Sequence, residues 1–271
     1  MVQEIAAVSF SPTGQTAKVV ETLAEKLGQL LQVPVRKDHF TLPGEQKIMR
    51  VYGEDTLVVF GTPTYAGRVP NKALPFVQQL FGGKKTPALA VVTFGNRAYD
   101  SALTELRNEL EHNGFTVIGA GAFATPHAFA NIGKEHPSAA DRALLDFFAE
   151  RMAERLQEGK PLQTVKIRDD APVAPYYIPK GMDGQPAKFL KAKPQTDLAK
   201  CTHCGTCARV CPMGSINPDN TDEVPGICIK CQACVTYCPT GAKYFDDPRF
   251  LSHKEYLETH FQRSAFSNVF I

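Results

Sequence analysis

The stretch "CTHCGTCARVCP" at residues 201–212 recurs in outline as "CIKCQACVTYCP" at residues 228–239. All eight cysteines of the 271-residue chain lie in these two runs, and the part before them contains none. Each run has the form C-x2-C-x2-C-x3-C-P, so the two runs indicate an internal repeat. The C-terminal part of the chain therefore carries a metal-binding pattern of its own.

This spacing is typical of bacterial iron-sulfur sites, in which three closely spaced thiolates hold one cubane and the fourth ligates the other cluster. Zinc sites with four cysteines also use C-x2-C pairs, but zinc ribbons space two such pairs apart. Disulfides are disfavoured because a closely spaced triplet suits no bridge geometry. On the iron-sulfur pattern, one 4Fe-4S cluster is held by Cys201, Cys204, Cys207 and Cys238, and the other by Cys211, Cys228, Cys231 and Cys234.

Small residues lie between these ligands and suit a backbone that turns close to sulfur and donates N–H groups to it. They are Gly205, Thr206, Ala208 and Ala233, with Gln232 beside them. Residues 196–247 therefore resemble a bacterial-type two-cluster ferredoxin. The resemblance implies a small α+β domain with two pseudo-symmetric halves and two 4Fe-4S clusters.

The cysteine-free part alternates short apolar runs with helical periodicity. Nearly continuous apolar runs at residues 4–10, 56–61, 88–95 and 115–123 predict buried parallel strands. The run at residues 33–40 predicts an edge strand, because Pro34 and the charges suit an edge. Apolar residues at helical spacing predict helices near 17–31, 99–110 and 144–156. Five strands alternating with helices predict an α/β fold with a doubly wound parallel sheet.

A ligand of such a sheet lies beyond the C-terminal ends of the strands. The loop after the first strand, "SFSPTGQTAK" at residues 9–18, leads directly into a helix. Hydroxyls of Ser11, Thr13 and Thr16, with N–H groups at the helix start, can surround a phosphate, and Gly14 lets the backbone come close. No lysine follows the glycine, which argues against a Walker A loop. Simple N-capping by Thr13 or Thr16 is the alternative.

The string S-x-T-G-x-T resembles the FMN phosphate loop of flavodoxins, with Gln15 where an asparagine is usual. Residues 61–70 and 93–100 follow the next two central strands and resemble the flavodoxin loops that enclose the flavin ring. The resemblance implies stacking by Tyr65 and Tyr99 and hydrogen bonds from Gly67, Gly95 and Asn96. The FMN-binding residues predicted in this way are Ser9, Ser11, Thr13, Gly14, Gln15, Thr16, Pro63, Thr64, Tyr65, Ala66, Gly67, Thr93, Phe94, Gly95, Asn96, Arg97 and Tyr99.

Two further features receive no functional role. The string "GAGAFA" at residues 119–124 fits the letters of a dinucleotide fingerprint, but it lies within the fifth strand and runs into Thr125-Pro126. The loop histidines His127 and His136 are expected to be structural or solvated. We therefore predict no catalytic residue.

Composition and charge limit the partners and the cellular compartment that we expect. A formal net charge of +2 calls for neither nucleic acid nor an anionic membrane as a partner. The N-terminus lacks a basic leader, and no apolar run approaches the roughly 18 residues of a membrane span. We expect a cytoplasmic, reducing compartment, where cysteine runs are more often metal ligands than disulfides.

The expected organisation has four parts. These are a flavodoxin-like FMN-binding domain at 1–160, a packed connector at 161–195, a ferredoxin domain at 196–247 and a helical tail at 248–271. The connector is rich in proline but also carries Val173, Tyr176, Tyr177 and Phe189, so we expect it to pack across both domains. The tail predicts a helix near 252–263, followed by the apolar residues Phe266, Val269, Phe270 and Ile271, which should cover a core or a subunit contact, as in a homodimer.

The order of the parts resembles the flavodoxin-ferredoxin fusion family, also described as EFR-type ferredoxins. This resemblance implies electron transfer between bound FMN and two 4Fe-4S clusters, with a redox protein as the partner. An electron carrier is favoured, because no acid-base group stands out beside the predicted ring. The alternative is a flavin-dependent reductase that passes electrons from the clusters to a small-molecule acceptor.

Overall fold

The computed structural model describes residues 2–167 and 172–271. Its strands are β1 (Glu4–Ser9), β2 (Val35–Lys37), β3 (Arg50–Tyr52), β4 (Thr56–Pro63), β5 (Phe81–Gly83), β6 (Thr86–Phe94), β7 (Phe115–Ala124), β8 (Gln195–Thr196), β9 (Lys243–Tyr244) and β10 (Asn268–Phe270). Its α-helices are α1 (Gln15–Leu31), α2 (Leu74–Leu80), α3 (Ala102–His112), α4 (Ala139–Gln157), α5 (Thr206–Arg209), α6 (Ala233–Thr236) and α7 (Pro248–His260).

The main sheet has six strands in the order β10-β7-β6-β4-β1-β2. The pairs from β7 to β2 are all parallel, and their order is the flavodoxin-like 2-1-3-4-5 arrangement when only these strands are counted. The predicted flavodoxin-like α/β fold is confirmed, and so is the edge position of β2. Sequence reasoning missed β10, which pairs antiparallel with β7, and also the small β3-β5 sheet and α2.

Both faces of the sheet are covered, as the alternation of side chains along a strand requires. Val58 and Phe60 of β4 belong to the core on one face, and Leu57 and Val59 belong to the core on the other. Helices α1 and α4 pack over the second face, whereas α2 and α3 pack over the first. The strand ends between these two layers form a rim at the C-terminal side of the sheet.

The connector contacts both the sheet domain and the C-terminal part. Val165 and Ile167 are buried in the first core, and Tyr177 donates its N–H to the carbonyl of Ala66 over 2.8 Å. Phe189 contacts Phe250 of α7, with ring centroids 5.5 Å apart. Residues 168–171 of the predicted connector lie outside the described residues, and the proposed domain boundaries stay predictions.

The C-terminal tail returns to the sheet. Helix α7 begins after Asp247, whose carboxylate accepts the N–H groups of two first-turn residues, and its Leu257 is buried. Val269 and Phe270 pack on the two cores. Phe266 is 73% exposed and covers no core of this chain, and a subunit contact at this residue stays a prediction.

Among the described residues, no helix has the length and apolar character needed to cross a membrane.

Candidate functional site

The eight cysteines line two cavities. One cavity is lined by Cys211, Cys228, Cys231 and Cys234. The other is lined by Cys201, Cys204, Cys207 and Cys238. These are the two ligand sets derived from the cysteine spacing.

The thiol arrangement fits cubane clusters. A zinc ion draws four thiolates to about 2.3 Å from a single point. A 4Fe-4S cluster instead takes one thiolate at each iron, from separate points on the cavity wall. The donor set therefore suits two 4Fe-4S clusters.

The two halves share the same backbone geometry. His203 and Lys230, at matching positions, have φ values of 52° and 57°. Gly205 and Gln232 likewise have φ values of 70° and 69°. Four residues after the last cysteine of each run, an N–H donates to that cysteine's sulfur, over 3.3 Å from Ser215 and 3.2 Å from Ala242. The internal repeat predicted from the sequence is thus present in the backbone.

One cavity faces the sheet domain. Ile229, next to Cys228, packs against the core of that domain. Burial, followed by the Cys231 and Cys228 thiolates, raises the pKa of Tyr65 well above its ordinary value, so these cysteines lie close to the loop after β4. We call this the proximal cavity. The other, whose Cys204 is exposed, is called the distal cavity.

The loop between β1 and α1 leaves donors available for an anion. Gly14 is the N-cap of α1, with φ 82° and no side-chain capping bond. The Thr16 hydroxyl lies 2.7 Å from that of Thr93, and Ser11 Oγ accepts from Ala17 N over 2.9 Å. Within the described ranges, the N–H groups of Gln15 and Thr16 and the hydroxyl of Thr13 have no partner. Capping by Thr13 or Thr16 is therefore not what the loop does, and its open N–H groups suit a phosphate.

The loop after β4 makes a tight turn at the same rim. Tyr65 and Arg68 exchange backbone hydrogen bonds of 2.9 and 3.2 Å around Ala66 and Gly67, which have φ values of 49° and 77°. A Cβ on Gly67 would lie 2.3 Å from Asp100 Oδ2, so the turn requires glycine there.

Two threonine hydroxyls beside this turn are orphaned. Thr62 Oγ1 and Thr64 Oγ1 are buried without a hydrogen-bond partner in the described part of the chain. Buried polar atoms are normally paired, and a polar ligand at the rim would satisfy them. The rim residues therefore fit a flavin nucleotide.

Three residues of the predicted FMN set have other roles. Ser9 is fully buried, and its hydroxyl lies 2.9 Å from His39 Nδ1, so it already has a hydrogen-bond partner. The Arg97 guanidinium pairs with Asp100 and lies 4.0 Å from the ring centroid of Tyr177.

Asn96 is the third. Its Nδ2 donates to the carbonyls of Phe261 and Arg263 over 2.8 and 3.1 Å, and its Oδ1 accepts from Ala265 N over 2.8 Å. These bonds use every hydrogen-bonding direction of the amide except one lone pair. The side chain of Asn96 therefore holds the C-terminal tail and is not available to a flavin ring.

The other predicted ring residues lie together at the rim. Tyr65 and Tyr99 are half-buried, and Tyr99 lies 5.4 Å from the Phe94 ring, which is buried. A Cβ on Gly95 would meet His127 at 2.4 Å. Pro63 and Thr64 complete the end of β4.

Both loop histidines have structural roles. His127 Nδ1 accepts from the N–H groups of Phe129 and Ala130, and burial lowers its pKa to about 4. His136 is buried between Asp141, 2.6 Å from Nδ1, and Ser264, 3.1 Å from Nε2. The lowered pKa of His127 leaves it without a transferable proton at neutral pH.

Sequence reasoning missed the contacts that the C-terminal part makes with the rim. Gln46 Nε2 donates to the carbonyl of Pro212 over 2.9 Å, and the Tyr237 hydroxyl lies beside Gly14. The one signal in the sequence is that the two cysteine runs differ at these contact positions, with Ile229 where the first run has Thr202 and Tyr237 where it has Val210.

Comparison with known proteins agrees with the division of the chain into a sheet domain and an iron-sulfur part. Residues 200–242 match the family described as 4Fe-4S dicluster domain. No curated protein sequence is significantly similar to the chain.

Solved structures similar to the chain overlie 57% of it. They include a flavodoxin from the domain Archaea (14% identity, 99% of that chain, TM-score 0.41) and a Streptococcus pneumonia TIGR4 flavodoxin (18%, 99%, 0.41). A rubredoxin oxygen:oxidoreductase from the anaerobe Desulfovibrio gigas is matched over 36% of its length (17%, 0.38). The strand order establishes the fold independently of these similarities. The chain joins a flavodoxin-like α/β domain to a 4Fe-4S dicluster domain, and this combination fits a flavodoxin-ferredoxin fusion.

Proposed function

We propose that this protein is an electron carrier that binds FMN at the rim of its sheet and exchanges electrons between the flavin, its two 4Fe-4S clusters and a partner redox protein. The observation that carries the proposal is the contact between the proximal cavity and the loop after β4. Burial is the main cause of the raised pKa of Tyr65, and the charges of Cys231 and Cys228 raise this pKa further. The two cysteines therefore lie close to Tyr65. A flavin held by that loop would therefore be next to a cluster.

The chain's own residues would position the cofactors. The eight thiolates ligate iron, and the open N–H groups of Gln15 and Thr16 bind the phosphate at the α1 N-terminus, where the helix dipole favours an anion. The cofactors supply the redox chemistry, since each cluster exchanges one electron and a flavin one or two.

The two cavities differ in the exposure of their cysteines, and this difference indicates which cluster a partner protein can reach. Both cavities have buried cysteines, with Cys231 and Cys234 of the proximal cavity and Cys207 of the distal cavity each 8% exposed. Of the eight cysteines, only Cys204, in the distal cavity, is exposed. The exposed Cys204 gives a partner protein a point of approach to the distal cluster. We therefore infer the spatial order partner, distal cluster, proximal cluster and flavin, with either direction of flow.

The alternative function is a flavin-dependent reductase of a small molecule, fed through the clusters. Such an enzyme needs a proton donor beside the ring. His127, which contacts Gly95, has a pKa lowered by burial to about 4 and uses Nδ1 as an acceptor. This environment favours the carrier.

The test is an anaerobic reductive titration of the protein reconstituted with iron, sulfide and FMN. Visible absorption follows the flavin, and electron paramagnetic resonance follows the clusters. A carrier is expected to show a flavin radical over a wide range of added electrons, together with signals from two reduced clusters. Direct two-electron reduction of the flavin would favour the reductase, and a protein that takes up iron but no FMN would overturn the flavin part.

A further inference from the structure

Tyr237 lies between the cysteines of the second run but points to the other domain. A Cβ built on Gly14, the N-cap of α1, would lie 3.0 Å from the Tyr237 hydroxyl oxygen. Among residues 2–167 and 172–271, no group forms a hydrogen bond with this hydroxyl. An O–H donor without a protein partner therefore lies beside the phosphate loop.

The clusters themselves do not require a tyrosine at this position. The matching residue of the first run is Val210, which also directly precedes the last cysteine of its run. Both residues are the C-cap of a short helix with nearly the same backbone, φ −96° at Tyr237 and −91° at Val210. The repeat thus tolerates valine at this position, and what distinguishes Tyr237 is that it faces Gly14.

Tyr237 is 42% exposed, and contacts elsewhere hold its segment against the sheet domain. Gln46 Nε2 donates to the Pro212 carbonyl over 2.9 Å, and Gly214 faces the ring of Pro43. On its own side, the Tyr237 N–H donates to the Ala233 carbonyl over 3.0 Å. The iron-sulfur segment therefore seats on the loops around the phosphate site at more than one point.

Within the phosphate loop, residues 9–18, the one basic residue is the exposed Lys18 at its end, so most of the donors are neutral. The donors it offers from its own domain are backbone N–H groups and the Thr13 hydroxyl. A hydrogen bond to an ionised acceptor is stronger than one between neutral groups. A phenol positioned beside Gly14 would therefore add appreciably to phosphate binding.

We propose that Tyr237 donates a hydrogen bond to the phosphate of the flavin nucleotide, so that the iron-sulfur segment completes the flavin site. This inference rests on the proposed function, since it takes FMN to be the ligand of the rim. It makes Tyr237 a specificity-determining residue for the phosphorylated flavin over riboflavin.

The test measures flavin binding and needs no assay of electron transfer. The full chain, with its clusters intact and its flavin removed, is titrated with FMN and with riboflavin, and binding is followed by quenching of flavin fluorescence. We expect Tyr237→Phe to weaken FMN binding about tenfold, as the loss of one hydrogen bond to a charged group predicts, and to leave riboflavin binding unchanged. Tyr244→Phe, on the same segment and 43% exposed, is the matched control and should change neither.

Each of the other outcomes would overturn the proposed role of Tyr237. Unchanged FMN binding by Tyr237→Phe, at wild-type iron content, overturns the role of Tyr237 while leaving FMN in place. An equal loss for FMN and riboflavin also overturns it, because the contact would then not be with the phosphate. If the wild-type chain binds neither flavin, the proposed function fails first, and the inference fails with it.

Discussion

The proximal and distal cavities have the same local design but different surroundings. Their runs share cysteine spacing, left-handed residues at matching positions and the same N–H donor to the last sulfur. Yet Ile229 of the second run packs on the sheet domain, whereas Thr202, its match in the first run, is exposed. The repeat fixes how a cluster is held, and the residues between the cysteines decide what the cluster faces.

The thiols reflect this difference. Burial raises the pKa of Cys234 in the proximal cavity to about 12. The Thr206 hydroxyl and backbone lower the pKa of Cys204 in the distal cavity, and Thr206 is replaced by Ala233 in the second run. Solvent exposure and hydrogen bonds to sulfur both change cluster potentials, so we expect the two clusters to differ in potential.

The largest effect is expected from removing one ligand of each cavity. Cys231→Ala and Cys204→Ala should each lose about half of the bound iron, because each removes a corner of one cluster. Only Cys231→Ala should abolish rapid electron exchange between the flavin and a cluster, since the proximal cavity lies next to the Tyr65 loop. Laser-flash reduction of the flavin, followed by transient absorption, measures that exchange.

The two variants serve as controls for each other. Circular dichroism and FMN content show whether the sheet domain is intact in both. If Cys204→Ala also loses the rapid phase, or if Cys231→Ala keeps it, the assignment of proximal and distal cavities is reversed or wrong.

A smaller effect is expected from the buried Lys243. Its Nζ donates to Thr196 Oγ1 over 2.7 Å and to the Thr221 carbonyl over 2.5 Å, and it lines the distal cavity. Its charge also opposes the burial that raises the pKa of Cys234 in the proximal cavity. A cation between two clusters favours their reduced, more negative forms.

Lys243→Gln should therefore lower the reduction potentials of both clusters. A unit charge roughly 8 Å away at an effective dielectric constant of about 20 contributes about 2 kcal/mol, which is on the order of 90 mV for one electron. Lys200→Gln, an exposed lysine paired with Asp197, should shift the potentials much less because solvent and salt screen it. Redox titration monitored by electron paramagnetic resonance measures both. Equal shifts in the two variants would argue against a special position for Lys243.

Exchanging residues between the runs tests the packing difference. Ile229→Thr gives the second run the residue of the first and should lower the free energy of unfolding by about 1–2 kcal/mol, because it removes apolar contact with the sheet core. Thr202→Ile makes the reverse change at an exposed position and should stay within about 0.5 kcal/mol. Urea unfolding under anaerobic conditions compares them. Similar losses in both variants would show that Ile229 acts within its own segment and not across the domains.

The parts that the sequence predicts well depend on local patterns. Cysteine spacing predicts the two sets of four cysteines that line the two cavities, and apolar runs predict the parallel strands, since both are short-range features. The contacts that sequence reasoning missed join distant segments. Asn96 binds residues 261–265, and β10 pairs with β7, but nothing in either segment alone indicates its partner. The sequence does not reveal that the Asn96 side chain is occupied for the same reason, because a resemblance to flavodoxin loops says nothing about a tail that such a loop has to hold.

The smallest expected effect concerns Gly205 and Gln232, which occupy the same position in the two runs. Substitutions there separate the cost of backbone strain from the contribution of a side-chain hydrogen bond. Gly205 and Gln232 share a left-handed conformation, with φ 70° and 69°, which costs a residue with a Cβ about 1 kcal/mol relative to glycine. Gln232 Nε2 donates to the Lys230 carbonyl over 3.0 Å, and a bond of this kind is worth about 1 kcal/mol. The strain and the bond therefore nearly cancel in the second run, whereas glycine in the first run has neither.

Gly205→Ala should consequently lower the free energy of unfolding by about 1 kcal/mol. Its new Cβ meets only the Arg209 guanidinium, at 3.0 Å, and this exposed group can move aside. Gln232→Gly should leave stability within about 0.5 kcal/mol, because it relieves the strain and loses the bond together. Urea unfolding of the cluster-loaded protein measures both changes. A clear stabilisation by Gln232→Gly would mean that the amide contributes nothing, and that the proximal cavity keeps glutamine at the expense of stability.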